Sequence, residues 1–113
     1  MEPLGAPGRP IVSVVIPALN EEDPISDVVR EVREQPVDEI IVVDNGSTDQ
    51  TAARASAAGA RVVSEPRRGY GRACQAGIAA TRADCGVIVF LDGDGSDCPA
   101  FIPALLAPIT CGT

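Results

Sequence analysis

Residues 39–49 have the sequence EIIVVDNGSTD, an apolar and largely β-branched run followed at once by a polar turn. Apolar residues at consecutive rather than alternate positions are typical of a parallel strand that is covered on both faces. The segment Val87–Leu91 has the same character as Glu39–Val43, and Ile11–Ile16 and Arg61–Ser64 also have strand composition. We therefore predict four strands.

Segments of helical periodicity lie between and after these strands. The first begins at Asp23, an acidic cap before a proline, and ends before Pro36. Its apolar residues form one stripe: Ile25, Val28, Val29 and Val32. The second opens with a capping-box pattern at residues 47–50, and Gly59 ends it. The two segments predict amphipathic helices that pack on a sheet.

Two further helices are predicted, from about Gly71 to Ala80 and from near Pro99. Small side chains in the first of these would let it lie close to the sheet. The resulting β-α-β-α-β-α-β-α order predicts an α/β fold with a mostly parallel sheet of about four strands, Rossmann-like in architecture. We expect residues 1–10 to form a flexible N-terminal segment and residues 11–113 to form a single domain.

Composition excludes several classes of function. The chain has 113 residues, is 45% hydrophobic and carries a net charge of −7, which argues against binding to nucleic acid or anionic membranes. It contains no His, and all nine basic residues are Arg, so His-dependent catalysis, His-ligated zinc, a Walker lysine and a Schiff base are excluded. No apolar run approaches the ~20 residues of a membrane span. The four cysteines are too far apart for a Cys-x-x-Cys motif, and we interpret them as reduced, mostly buried thiols in a cytoplasmic protein.

Polar loops follow three of the predicted strands at their carboxyl ends, where open α/β sheets bind ligands. These loops are PALNEE at residues 17–22, DNGSTD at 44–49 and DGDGSD at 92–97. Asp92 and Asp94 are one residue apart, and on an extended segment their carboxylates would repel each other unless a divalent cation lay between them. A plain surface turn is the alternative.

Two other features are open to more than one interpretation. Asp44 could accept hydrogen bonds from a nucleobase or ribose, or it could only cap its own turn. The segment GYGRAC at residues 69–74 is an incomplete Gly-x-Gly-x-x-Gly pattern before a helix. We interpret it as a loop beside a nucleotide, with Arg72, Arg67 or Arg68 available to a diphosphate. Solvated arginines are an equally good explanation for Arg67 and Arg68.

Three motifs together, VVIPALNEE at 14–22, IVVDNGSTD at 41–49 and FLDGDGS at 90–96, resemble the donor-binding half of the inverting family-two glycosyltransferases. The closest branch is similar to the polyprenyl-phosphate sugar transferases. The resemblance implies an A-type nucleotide-diphosphosugar transferase fold, and Mg²⁺ or Mn²⁺ held by Asp92 and Asp94. It also implies a nucleotide site, for which we name Pro17, Ala18, Asn20, Glu21, Asp44, Gly46, Ser47, Gly69, Arg72, Asp92 and Gly93.

The function expected from this resemblance is metal-dependent sugar transfer from a UDP- or GDP-sugar, with a polyprenyl phosphate as candidate acceptor. The catalytic base and most of the acceptor site are expected beyond Thr113, so the chain would hold the donor half, cytoplasmic or peripheral to a membrane in the full-length protein. One alternative is a nucleotide-sugar-binding domain without turnover. A remote one is a haloacid-dehalogenase-type phosphatase with Asp92 as nucleophile, although that chemistry needs a lysine that this chain lacks.

Overall fold

The structure is a computed structural model and describes residues 10–95, in which strands and helices alternate as the sequence predicts. The elements in chain order are β1 (Val12–Ala18), α1 (Ile25–Arg33), β2 (Glu39–Asp44), α2 (Thr51–Ala58), β3 (Arg61–Ser64), α3 (Tyr70–Ala80) and β4 (Val87–Phe90). The predicted N-terminal segment, apart from Pro10, and the helix predicted near Pro99 lie outside the described residues. The α/β class is confirmed.

All strand pairs are parallel, and the order across the sheet is β3-β2-β1-β4. The last residues of β1, β2 and β3 are in register, with Ala18 beside Asp44 and Asp44 beside Ser64. The chain builds β2 and β3 on one side of β1 and then crosses to place β4 on the other side. This reversal makes a crevice at the carboxyl ends of β1 and β4, the position at which doubly wound sheets bind ligands.

Hydrophobic cores lie on both faces of the sheet. On one face α1 and α2 pack against β-branched residues such as Val14 and Ile16 of β1, all fully buried or nearly so. On the other face α3 packs against Val15. The predicted close approach of α3 is confirmed at Gly77, where an added Cβ would lie only 2.3 Å from Val15 Cγ1.

The prediction that two strands are covered on both faces is confirmed for β2 and holds in part for β4, where Val87 and Val89 pack on one core and Ile88 packs on the other. The three central residues of β2 are fully buried. In β4 only Val89 is buried, and Phe90 is 38% exposed. The reason is position: within residues 10–95, β4 pairs with β1 on one side only.

The predicted helix caps are partly wrong. α1 begins after Pro24, but Asp23 makes no capping hydrogen bond to it, and α2 begins at Thr51 without the predicted capping box. The Ser47 hydroxyl accepts instead from the backbone of the loop after β1. Gly59 ends α2 with a φ of +113°, a left-handed conformation that glycine adopts without strain, as predicted.

Two further expectations concern membranes and thiols. Among residues 10–95 no helix combines the length and the hydropathy that a bilayer span requires. Cys74 and Cys85 are free thiols of intermediate burial, while Cys98 and Cys111 lie outside the described part of the chain.

Candidate functional site

A cavity of about 500 Å³ opens at the carboxyl ends of the strands. Its first wall is the end of β1 and the loop that follows, its second is the turn after β4, and its third is the segment that leads into α3. Seven predicted site residues line it: Pro17, Ala18, Glu21, Gly69, Asp92, Gly93 and Asp94. The structure therefore brings the first and last polar loops of the predicted site together.

Asp92 and Asp94 are exposed and lie on the same cavity, close to Glu21. Burial raises the pKa of Glu21 above its ordinary value, and the charges of three aspartates raise it further, in the order Asp94, Asp49 and Asp92. The neighbouring charges of Glu21 are therefore mainly negative. A cation in the cleft would reverse this effect, because it favours the ionised carboxylates.

The chemistry of these donors fits a hard divalent cation, since they are carboxylate oxygens without sulfur or imidazole ligands. Within residues 10–95, however, no three Cys, Asp or Glu side chains are arranged to hold a metal by themselves. An ion held by Asp92 and Asp94 would complete its coordination with water or with oxygens of a bound ligand. Mg²⁺ is commonly bound in this way, through one or two carboxylates and a phosphate.

The five remaining predicted residues do not line the cavity: Asn20, Asp44, Gly46, Ser47 and Arg72. Asp44 caps its own turn, because its Oδ1 accepts from the Ser47 N–H at 2.9 Å. This is one of the two roles that the sequence left open. Contact between Asp44 and a nucleobase stays a prediction.

Asn20 and Ser47 join two loops. The Asn20 N–H donates to Ser47 Oγ at 2.9 Å, and Asn20 Oδ1 accepts from the Thr48 N–H at 2.9 Å. Next to this pair, the Glu21 N–H donates to Thr51 Oγ1 at 2.8 Å. These bonds fix the backbone that carries Glu21 into the cavity. In this structure Asn20 and Ser47 are therefore positioned to shape the site rather than to line it.

The three arginines near α3 have different surroundings. Arg67 donates to both carboxylate oxygens of Glu65, from Nε and Nη2 at 3.1 Å each. Hydrogen bonds from the side chain and N–H of Arg67 lower the pKa of Glu65, and the charge of Arg72 lowers it further. Arg68 lines the cavity, whereas the predicted Arg72 does not. The arginine placed for an anion in the cavity is Arg68.

Residues that the sequence reasoning missed complete the walls: Leu19, Asn45, Tyr70 and Ala73. Asn45 belongs to the polar loop at residues 44–49, and its side chain is buried and bonded to the segment after β3. Tyr70, the first residue of α3, is a large aromatic residue that is 60% exposed. The sequence signal for Tyr70 as a cavity residue was its position between Gly69 and Gly71, in the segment interpreted as a loop beside a nucleotide.

Comparison with known proteins supports the sequence resemblance. The sequence pattern described as Glycosyl transferase family 2 matches residues 13–111. Glucosyl-3-phosphoglycerate synthase of Mycolicibacterium smegmatis is 46% identical over 113 aligned residues, which cover 88% of this chain and 37% of that protein. An uncharacterized glycosyltransferase of Mycobacterium tuberculosis is 42% identical over 102 residues, which cover 89% of this chain and 44% of that protein. The chain thus spans less than half the length of these relatives.

Solved structures give the same relationship. The crystal structure of M. tuberculosis glucosyl-3-phosphoglycerate synthase superposes with a TM-score of 0.80 at 42% identity, covering 91% of this chain and 41% of that one. The structure of the same synthase in complex with Mn²⁺, UDP-glucose and phosphoglyceric acid gives a TM-score of 0.81 at 42% identity. The superposition covers 91% of this chain and 40% of that one. A third structure contains Mg²⁺ and UDP. The similarity therefore includes proteins crystallised with a nucleotide and a divalent cation.

Proposed function

Because this chain belongs to glycosyl transferase family 2, we propose that it is the donor-binding part of a metal-dependent glucosyltransferase that uses UDP-glucose. The observation that carries the proposal is the cavity that Glu21, Asp92, Asp94 and Arg68 line together at the carboxyl ends of the strands. The proposed domain comprises residues 11–113. The predicted nucleotide-binding residues keep that role in the proposal, with Arg68 in place of Arg72.

Each wall has a distinct task in this proposal. Pro17, Ala18 and Leu19 give the nucleoside a largely apolar surface, and Asp92 and Asp94 hold Mg²⁺ or Mn²⁺. The metal, when bound, supplies positive charge against the diphosphate that leaves when the sugar–phosphate bond breaks. Arg68 contributes a second positive group.

Glu21 adds a third carboxylate to the cleft, which increases the need for a cation when a diphosphate binds. Its carboxylate shares the cleft with those of Asp92 and Asp94, and the pKa of Glu21 is raised by burial and by their charges. A diphosphate brought into this field alone would meet repulsion from three carboxylates. A divalent cation offsets that repulsion, so nucleotide binding should depend on metal.

For the acceptor we propose phosphoglycerate, which the names of the matched synthases include. The polyprenyl phosphate expected from the sequence receives no support from these relatives. The catalytic base, expected beyond Thr113, stays a prediction, as does a cytoplasmic location. The phosphatase alternative is set aside, because the chain belongs to a glycosyltransferase family.

The test is a calorimetric titration of UDP-glucose with and without Mn²⁺. We expect binding only with metal, and we expect Asp94→Asn to weaken it by roughly tenfold or more, since even partners of metal ligands contribute 10–100-fold. Asp84→Asn is the matched control, because it removes one exposed carboxylate that pairs with Arg82 and does not line the cavity. Metal-independent binding, or equal weakening by both variants, would contradict the proposal.

A transfer assay tests the proposed acceptor. Radiolabelled UDP-glucose is offered with 3-phosphoglycerate or with a polyprenyl phosphate, and the glucosylated product is measured. Label on phosphoglycerate supports the proposed acceptor, and label on the lipid refutes it. Metal-dependent donor binding with no transfer to either compound would favour the binding-only alternative for this chain.

A further inference from the structure

Asn45 lies at the junction of three strand ends, and the residue is only 6% exposed. Its Nδ2 donates to the carbonyl oxygens of Glu65 at 2.8 Å and Arg67 at 2.9 Å. Its Oδ1 accepts from the Gly69 N–H at 3.1 Å. The Asn45 N–H donates in addition to the Ala18 carbonyl at 2.9 Å, which ties the same residue to β1. One side chain therefore holds both ends of residues 65–69, called here the 65–69 loop.

Only a side chain with two donors and one acceptor in this shape satisfies these three backbone groups. An ionised aspartate has acceptors alone and would face two carbonyl oxygens with none of the required protons. A serine has one donor and is shorter. Because Asn45 is buried, water cannot readily replace the lost bonds, and each unsatisfied group then carries its full desolvation cost.

The 65–69 loop brings two side chains to the cavity. Arg68 lies within the loop, and Tyr70 follows Gly69 as the first residue of α3. Gly69 has a φ of +135°, so the chain changes direction at the residue whose N–H Asn45 holds. The direction in which Tyr70 enters the cavity thus depends on that hydrogen bond.

We propose that Asn45 is the positioning residue of the third cavity wall: through the 65–69 loop it sets where Arg68 and Tyr70 meet a bound nucleoside diphosphate. This inference rests on the proposed function for the identity of the ligand. The positioning itself concerns the protein alone, so the two can be tested separately. The loop is also tied to β2 at its start, where the Glu65 N–H donates to the Asp44 carbonyl at 2.9 Å, and Arg68 Nη2 donates to the Gly46 carbonyl at 3.5 Å. The Arg67 carbonyl and the Gly69 N–H are the loop groups that Asn45 holds beyond this first residue.

The chain provides its own probe for this test. It contains one tyrosine and no tryptophan, so tyrosine fluorescence reports on Tyr70 alone. Acrylamide quenching of that fluorescence measures how well the ring is held in the wall, with no ligand present. Titration with UDP in the presence of Mn²⁺ then measures the effect on nucleotide affinity.

The variants are Asn45→Asp, which keeps the shape of the side chain, and Asn45→Ser, a milder change that keeps one donor. The control is Val29→Ala, which weakens the fully buried core between α1 and the opposite face of the sheet. All measurements are made well below the unfolding temperature of each variant. We expect both Asn45 variants to increase quenching of Tyr70 and Asn45→Asp to weaken UDP binding roughly tenfold or more, since small misplacements of a binding group have effects of up to ~100-fold. Val29→Ala should change neither readout.

Unchanged quenching and unchanged UDP affinity in both Asn45 variants would overturn the inference. Equal effects of Val29→Ala would also overturn it, because they would show a general loss of stability. Increased quenching in the Asn45 variants, together with no binding of UDP to the unsubstituted chain, would support the positioning role and refute the proposed donor instead.

Discussion

Substitution of Gly77 by alanine tests whether the sheet and α3 are packed as closely as the structure indicates. The new Cβ would lie 2.3 Å from Val15 Cγ1 and 3.2 Å from Val43 Cγ2. Val15 is fully buried in β1, and its β-branched side chain has few alternative rotamers. Overpacking of this kind costs about 1–3 kcal/mol, and the shortest contact places Gly77→Ala near the upper end. Helix propensity returns about 1 kcal/mol, so we expect a net loss of about 2 kcal/mol.

Gly71→Ala is the matched control, because it makes the same chemical change in the same helix. An added Cβ at Gly71 would have no atom within 4 Å. This variant should gain up to about 1 kcal/mol from helix propensity. Urea unfolding followed by circular dichroism gives the free energy of unfolding of both proteins, and we expect them to differ by about 3 kcal/mol. Equal stability of the two variants would refute the close packing of α3 on Val15.

Two further predictions concern the loops around the site. Asn20→Ala removes the acceptor of the Thr48 N–H and puts alanine at a φ of +53°, so we expect a loss of about 1–2 kcal/mol in urea unfolding, whereas Asn20→Gly should keep the backbone conformation and lose less. The second concerns Glu65, whose pKa the hydrogen bonds of Arg67 hold below its ordinary value of 4.5. The ionised form is therefore favoured in the folded state, and its contribution to stability is complete above pH 4.5 and is lost as pH falls through the lowered pKa. Unfolding measured from pH 7 to pH 3 should show a smaller acid-dependent loss in Arg67→Gln, and an identical pH profile would contradict this assignment.

The sequence predicts the regular elements well, because their signals are local. Each predicted strand lies within about two residues of its observed bounds, and α3 differs from its prediction by one residue at its start. Burial of β2 on both faces follows from its four consecutive apolar residues, Ile40 to Val43. β4 carries the same signal but is less buried, because the number of strands beside it depends on sheet order and not on its own composition.

The helix caps and the lining of the cavity were predicted less well, because they depend on partners far away in sequence. Ser47 is of a residue type that often caps helices, but its hydroxyl accepts from the N–H of Asn20, which lies 27 positions earlier. Asn45 bonds to residues 20 to 24 positions later. A turn motif contains no information about such partners until the order of the strands is known.

The acidic residues of the cleft therefore differ in how far their positions can be predicted from local sequence. Asp92 and Asp94 follow a strand directly, so their place at the edge of the sheet is fixed once that strand is recognised. Glu21 reaches the same cleft through a loop whose backbone is held by Thr51. Burial raises the pKa of Glu21, and the charges of Asp94, Asp49 and Asp92 raise it further, so an ionised Glu21 in the cleft has a free-energy cost. Hydrophobic packing on both faces of the sheet, together with the hydrogen bonds between loops, must offset that cost, since the carboxylates repel one another. A cleft held together against its own charge in this way favours a cation more strongly than the same carboxylates would on an unconstrained chain.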